Sequence, residues 1–416
     1  MSTALAHVDS PRLGEAEIAS AVARVRGAAK LDFDANRMAG ALAQAFALWR
    51  SRDYARRLDA LDAVAHSAGY SVAMLENSID ALLKPFTEDA LKSMAARVSA
   101  SSMRDRPKTV GFIAAGNVAG AGIHEVAIAL IAGAGVLIKT ASAEPVFFAE
   151  FARTLAEVDR DARARIEVLQ WSRARTDLTA ALIADCDRVV AYGDDATIES
   201  LRNQSNVIGF GSRVSAAVVV PSADASQNER VAELLARDVA LFEQLGCLSL
   251  HQVFVVGAAD GAAREFAMRM SKALERLGES MPPARVPLRD AAEIRAVRER
   301  ARWRAIAGEP LELFEGSELQ WTVVFEPRAD SFRVSPGFRT VHVTGMRDRA
   351  EFRDFFAGAS GQIEAMAVAG DESGELGATI RAMGIPYVCA AGEMQSPPLD
   401  WRHGGGRFLD VMVGLR

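Results

Sequence analysis

The 416-residue chain carries 48 Lys+Arg against 54 Asp+Glu, a formal net charge of −6, with 50% of its residues apolar and 25% charged. That balance supplies a sizeable core and excludes global disorder, and the mild acidity argues against nucleic acid or an anionic membrane surface as the main partner. Three widely spaced cysteines (Cys186, Cys247, Cys389) with no CxxC exclude a disulfide scaffold and a thiolate zinc site.

Length predicts two or three domains, or one large α/β unit with subdomains. Met1 to Ser10 carries Asp9 and has no basic region followed by an apolar one, so no signal peptide is expected. The first hundred residues read as helices. Leu42, Phe46 and Trp49, then Leu58, Leu61 and Val64, then Leu75, Ile79 and Leu82 recur at three- and four-residue steps. Lys84-Pro85 breaks one segment, and Thr87 is placed to cap the next, with Glu88 and Asp89 in its first turn.

From Thr109 the pattern changes to alternating strand and helix. Thr109 to Ala115 is β-rich and leads into the loop Gly116-Asn117-Val118-Ala119-Gly120-Ala121-Gly122, then an apolar helix to about Ala132. The longest apolar run, Val126 to Ile138, is broken by Gly133 and Gly135 and falls short of the ~20 residues a membrane span needs. Strands are predicted at Gly135 to Lys139, Ile166 to Leu169, Arg188 to Tyr192 and Val214 to Val220, the pattern of a parallel doubly wound sheet. A second alternating region begins with a helix over Glu229 to Glu243. It continues through strands at Gln252 to Val256, Thr322 to Phe325, Thr340 to Val343, Glu364 to Val368 and Tyr387 to Cys389. A closing strand is predicted near Phe408 to Val413.

The glycine-rich loop lies at the carboxyl end of a strand and opens a helix, where ligands bind in open α/β sheets. Its spacing is not the usual G-x-G-x-x-G, so a tight turn that needs small residues explains it equally well. Lys139, ending an apolar strand, could meet a ribose or phosphate or simply reach water. In Tyr192-Gly193-Asp194-Asp195 a helix start could hold a pyrophosphate, yet the acidic pair also reads as plain capping. Cys247 is the sharpest candidate. It sits between a helix and an apolar strand in Gln244-Leu245-Gly246-Cys247-Leu248-Ser249, and cysteine is the best side-chain nucleophile near neutral pH. The alternative is a buried small hydrophobe, which suits Cys186 and Cys389 better. His251, four residues on, could serve Cys247 as a base, and His124 and Glu125 could line the same cleft. No His pair with an acidic neighbour has metal-ligand spacing, so no metal is expected. Arg295 to Arg304 reads as a solvated helix face.

In order, Gly116-Asn117-Val118, Val136-Leu137-Ile138-Lys139, Ala191-Tyr192-Gly193-Asp194 and Leu245-Gly246-Cys247 resemble the aldehyde dehydrogenase superfamily. Within it they are most similar to the acyl-CoA reductase family of LuxC-type fatty-acid reductases. The resemblance runs from Leu82 to Trp401-Arg402-His403-Gly404-Gly405. It implies an α/β fold of two doubly wound, Rossmann-like domains with a helical N-terminal region and a C-terminal oligomerisation strand. The cofactor domain would span 1–223 completed by 385–416, the catalytic domain 224–384, and the assembly would be a homodimer or homotetramer in the cytoplasm. Cys247 would be the nucleophile and Asn117, with the Cys247 backbone N–H, the oxyanion hole. Gly116, Lys139, Thr140, Ser142, Gly193, Asp194 and Gly211 would hold NADPH or NADH.

Two departures sharpen the expectation. The superfamily's water-activating glutamate lies in an E-L-G-G-K motif, whereas the matching stretch here is Gly209-Phe210-Gly211-Ser212-Arg213, with Gly209 where the carboxylate would stand. Hydrolysis of an acyl-enzyme would then be slow. Ser142 stands where many NAD-preferring members carry a glutamate, so NADPH should be tolerated. The glutamate that helps hold the nicotinamide ribose has no clean match between Arg333 and Thr344. The implied reaction is reduction of an acyl thioester, on CoA or on an acyl-carrying protein supplied by a synthetase partner, to the aldehyde through acyl-Cys247. The alternatives are an acyl-phosphate (semialdehyde-type) reductase, a Cys–His acyltransferase or thioesterase using His251, and a non-catalytic acyl-carrying subunit.

Overall fold

Two parallel sheets follow from the two alternating regions. The computed structural model describes residues 13–30, 33–101, 106–257, 261–357, 362–370 and 374–414; the leader reading of Met1 to Ser10 falls outside them. The first sheet contains β1 (Thr109–Ile113), β2 (Gly135–Thr140), β3 (Ile166–Gln170), β4 (Arg188–Tyr192) and β5 (Val207–Phe210). Its order is β3-β2-β1-β4-β5, all parallel. The second contains β6 (Val214–Val219), β7 (Leu250–Val256), β8 (Glu312–Glu315), β9 (Thr322–Glu326), β10 (Thr340–Met346), β11 (Ile363–Ala369) and β12 (Tyr387–Ala390). Its order is β12-β11-β6-β7-β10-β9-β8, parallel except for the antiparallel edge strand β8.

Parallel strands need cover on both faces. Every residue of β2 is buried. On one face of the first sheet the helix Glu15–Ala29 packs Ile18, Ala21 and Val22 onto Leu137, Trp171 and Val189. On the other, the helices Ala35–Arg50, Ala55–Ala68, Val72–Leu83 and Glu88–Ser99 enclose the apolar helix Ile123–Ile131. The repeat that predicts these helices is the buried stripe itself, save Leu58, which faces outward. Thr87 caps its helix by accepting the Ala90 N–H.

Three expectations require correction. The segment near Phe408 to Val413 is a short helix, Phe408–Met412, not a strand. Phe408, Leu409 and Met412 fall on one helical face and bury in the first core, with Phe408 near Phe112. Sheet membership also moves the domain edges. β6 lies inside the predicted 1–223 unit and β12 inside 385–416, yet both hydrogen-bond into the second sheet. Finally, the arginine run is not wholly solvated: Arg298 of the helix Leu288–Ile306 is buried, donating to Trp321 O and Thr322 Oγ1. Among the described residues no helix is long and apolar enough to cross a membrane.

Candidate active site

The strand order β3-β2-β1-β4-β5 reverses direction between β1 and β4, and the crevice beyond their carboxyl ends is where such sheets bind ligands. The loops after these strands carry the residues singled out by sequence. After β1, Gly116 lets the backbone settle against the loop after β2: a Cβ there would stand 2.9 Å from Ala141 Cβ. Lys139 and Thr140, both buried, end β2, and exposed Ser142 follows. After β4, Gly193 N–H donates to Phe210 O, and Asp194 caps the short helix Asp195–Ser200 by accepting Thr197 N–H. Gly211 is held close by Asp195, whose Oδ1 accepts the Ser212 N–H. The seven positions of the predicted cofactor set thus stand at the ends of, or on the loops after, β1, β2, β4 and β5. Glu144 does not offer a carboxylate there, because its Oε1 accepts Val146 and Phe147 N–H groups.

Cys247 lies on a loop fixed with unusual force. Phe242, Glu243 and Gln244 all have left-handed φ (52°, 50° and 65°), as do Phe338 and Arg339 opposite (51° and 57°). Such residues each cost of order 1–3 kcal/mol and persist only where surroundings impose them. Here the surroundings do so. The Glu243 carboxylate pairs with Arg339 at 3.0 Å and accepts Ala284 N–H, and Gln244 donates to Leu250 O and Thr340 O while accepting Thr340 N–H. Beyond this clamp, Leu245, Gly246 and Cys247 are partly exposed. Ser215 Oγ donates to Cys247 O, and the Asn117 side-chain amide reaches across to Leu245 O at 2.5 Å. Sequence analysis thus paired Cys247 with Asn117, and the structure brings their loops together.

The other two cysteines behave differently. Burial pushes the Cys186 thiol up to about 12, and it also raises Cys389. His251 does not serve Cys247: its Nδ1 accepts the Ser335 N–H, and burial holds the ring down to about 4.

A second histidine, His403, which sequence analysis noted only as the far end of the resemblance, pairs with Glu125. The C-terminal segment leaves β12, is tied down by Tyr387 Oη donating to Glu393 O and Ser396 O, and crosses to the first core. Gly404 N–H donates to Glu364 Oε1 and Arg213 donates to Gly404 O. The imidazole is sandwiched, with Phe210 stacked at 3.9 Å and Trp401 at 4.5 Å between ring centroids. Its Nδ1 lies 2.7 Å from Glu125 Oε1, and Cys247 also acts on the ring's charge. Tyr192 lies beside Glu125. Burial alone would neutralise His403, but Glu125 and Cys247 outweigh it and raise the ring to about 10. Burial opposes ionisation of Glu125 too, yet His403 draws its carboxyl down to about 2.

In the stretch Gly209 to Arg213 the side chain entering the site is Phe210. Gly209 faces away, and a Cβ on it would stand 2.5 Å from Ile198 Cγ2. No carboxylate stands at Gly209, and Glu125 arrives from a different element. Among the described residues no group of three His, Cys, Asp or Glu could hold a metal.

Buried histidines also set a stability limit. His124, His251 and His342 are each pushed down to about 4 by burial. A folded value below the unfolded one means the unfolded chain binds more protons, so stability is full above ~6.5 and falls as pH drops through 4. Each histidine contributes of order 3 kcal/mol when fully titrated. Urea midpoints should therefore drop steeply between pH 6.5 and 4. His251→Asn keeps an acceptor for Ser335 N–H but cannot ionise, so that drop should become shallower; an unchanged slope would remove His251 from the account.

A protein-family model described as acyl-CoA reductase (LuxC) matches residues 31–415. The long-chain acyl-protein thioester reductase of Aliivibrio fischeri is 24% identical over 330 residues, covering 74% of this chain and 66% of that protein. Long-chain acyl-protein thioester reductase 2 of Photobacterium leiognathi is 26% identical over 250 residues, covering 54% and 51%. The chain thus spans from about half to just under two thirds of these relatives' length. Among solved structures, succinic semialdehyde dehydrogenase from Streptococcus pyogenes, in complex with NADP+, superposes with a TM-score of 0.71 at 15% identity, covering 94% of this chain and 90% of that one. Mycobacterium tuberculosis aldehyde dehydrogenase, complexed with NAD+, gives 0.66 at 16% identity, covering 91% and 83%. At such identity the likeness establishes the aldehyde dehydrogenase fold.

Proposed function

Because the chain belongs to the acyl-CoA reductase (LuxC) family, we propose that it reduces an acyl thioester to the aldehyde through an acyl-Cys247 intermediate. The observation that carries this reading is the partly exposed Cys247, on a clamped loop that Asn117, from the loop after β1, touches at Leu245 O. The sulfur attacks the thioester carbonyl and the donor thiol departs. The Asn117 amide has two N–H bonds; one serves Leu245 O, and the other, with the Cys247 backbone N–H, can meet the developing oxyanion. Contacts of that kind contribute about 2.7–4 kcal/mol of transition-state stabilisation.

A reduced nicotinamide held by Gly116, Lys139, Thr140, Ser142, Gly193, Asp194 and Gly211 supplies the hydride when bound. The apolar residues of the second core against which Cys247 packs help exclude the water that would otherwise intercept the thioester. Ser142 carries no carboxylate and Glu144 is bonded to backbone N–H groups, so neither opposes a 2′-phosphate, which favours acceptance of NADPH. The names of the relatives point to an acyl-protein thioester as donor, and the family's description to acyl-CoA; both present the same reacting group. A synthetase partner would charge the carrier protein.

Incubation with a panel of acyl-CoAs and an acyl phosphate, without nicotinamide, followed by intact-mass measurement, tests this. One acyl group per chain, from the thioesters in preference to the phosphate, is expected. Absence of any adduct, or loading only from the phosphate, would overturn it.

A further inference from the structure

Resting on the acyl-thioester reading above, we propose that the outer face of the helix Leu288–Ile306 docks an acidic acyl-carrying protein and sets its thioester beside the Cys247 loop. The three most exposed large apolar side chains among the described residues are Leu288, Ile306 and Trp303, at 88%, 76% and 68%, and all belong to this helix. At about 3.6 residues per turn, Leu288 and Ile306 stand on one line about 27 Å long, with Trp303 about a sixth of a turn round. Ala292, Ala296 and Glu299, all exposed, lie along the same stripe. An apolar stripe on the side of a helix away from its core is a face for contact with another molecule.

The flanks of the stripe are basic. By the same spacing Arg295 and Arg302 border it on one side and Arg289 and Arg300 on the other, against Glu293 and Glu299. Arg302 is bound to Glu299 and Glu315, and Arg289 lies 3.5 Å from Glu293. Arg295 and Arg300 are exposed and make no ion pair among the described residues. A chain of net charge −6 thus gathers positive charge around its most exposed apolar side chains. Tryptophan and arginine are the residue types that most often anchor protein contacts, and carboxylates set around an apolar centre complement both. A second copy of this chain fits less well, because a two-fold contact lays the face on itself, arginine toward arginine. An anionic bilayer would meet the repulsion of the acidic chain as a whole.

The place of the helix links this face to the reaction. On its inner side Ala291 and Ile294 pack with Leu319 and Phe338, and Leu245, two residues before Cys247, packs against that cluster. Further along, Ala301 packs with Leu311 and with Val324 of β9, joined by Val297 and by Leu313 of β8. The Leu288 end of the stripe therefore overlies the loop that presents the sulfur, and the Trp303 end overlies the sheet edge. A protein held along the stripe brings its tethered acyl group to that loop, whereas acyl-CoA needs no such surface.

Steady-state reduction of a dodecanoyl thioester, carried either on an acidic acyl carrier protein or on CoA, is the test. Trp303→Ser is expected to raise KM for the carrier-bound donor by about 10- to 30-fold. Arg295→Glu with Arg300→Glu should raise it by about tenfold at low ionic strength, and the rise should shrink in about 0.5 M salt. KM for dodecanoyl-CoA, and kcat for both donors, should keep their wild-type values, because the substituted side chains are exposed; damage to the fold would impair both donors alike. An equal rise with both donors, or no rise with the carrier, would overturn the docking face. Wild-type binding to phosphatidylglycerol vesicles, or a dimer in sedimentation, that Trp303→Ser abolishes without changing KM for the carrier would overturn it in favour of a lipid surface or a second copy. A wild type that turns over dodecanoyl-CoA but not the carrier-bound donor would also overturn it and leave the acyl-thioester reading standing. Failure with both donors would overturn that reading itself.

Discussion

Cys247→Ala is expected to abolish acyl loading and to lower aldehyde formation by about 10⁶-fold, the scale on which removal of the nucleophile disables a catalytic unit. The argument rests on exclusion as much as on position. Cys186 and Cys389 are held as un-ionised thiols by burial, so neither can substitute. Hydride delivery to a free thioester would forgo the covalent alignment that turns a two-body encounter into a step within one molecule. Quenching of NADPH fluorescence should survive in the variant, because the crevice residues belong to the loops after β1, β2, β4 and β5 rather than to the Cys247 loop. Cys247→Ser should also fail to turn over, since its volume is kept but no thiolate is available. NADPH oxidation by Cys247→Ala at more than about a thousandth of the wild-type rate would sink the covalent scheme, because a hydride path that bypasses sulfur lacks the nucleophile's share of the acceleration.

Much of this architecture is legible in the chain because each buried parallel strand reads as a short apolar run between turn signals. β4 is found at its full extent, Arg188–Tyr192, and β7, β9, β10 and β11 within a few residues. The two strands that escape, β5 and β8, are short and partly exposed, so neither the apolar run nor strict alternation marks them. At the C-terminus, Phe408, Leu409, Met412 and Val413 suit a strand by residue type but a helix by spacing, and spacing wins because one face must meet the core. The site divides the same way. Asn117 and Cys247 stand in short local patterns whose chemistry can be argued from neighbours. His403 meets Glu125 across 278 residues, and nothing within a few positions of either announces the other. His251, the histidine nearest Cys247 in sequence, starts a strand whose direction carries it to Ser335 instead.

Arg339→Met is expected to destabilise the protein by about 3–5 kcal/mol, the scale for leaving a buried charge without its partner. Glu243 and Arg339 are each 1% exposed in their side chains, and their carboxylate and guanidinium meet through two hydrogen bonds. The methionine would fill the volume but leave the Glu243 charge stranded and Met281 O without its donor. Stability is only part of the consequence. Glu243 is the middle of three left-handed residues, and Phe338 N–H donates to its carbonyl at 2.8 Å, so the pair holds the strained turn from which Cys247 is presented. Released, that turn should relax toward ordinary φ and carry the sulfur away from Asn117. Urea unfolding should thus show the loss of stability. Acylation at temperatures where the variant remains folded should also fall, by more than tenfold if the sulfur moves by about 1 Å. Glu243→Gln with Arg339→Met removes both charges, and its cost should be less than the sum of the two single changes, giving a coupling of up to about 3 kcal/mol. A loss below about 1 kcal/mol for Arg339→Met, with normal acylation, would mean that the hydrogen bonds of Gln244 alone suffice to hold the loop.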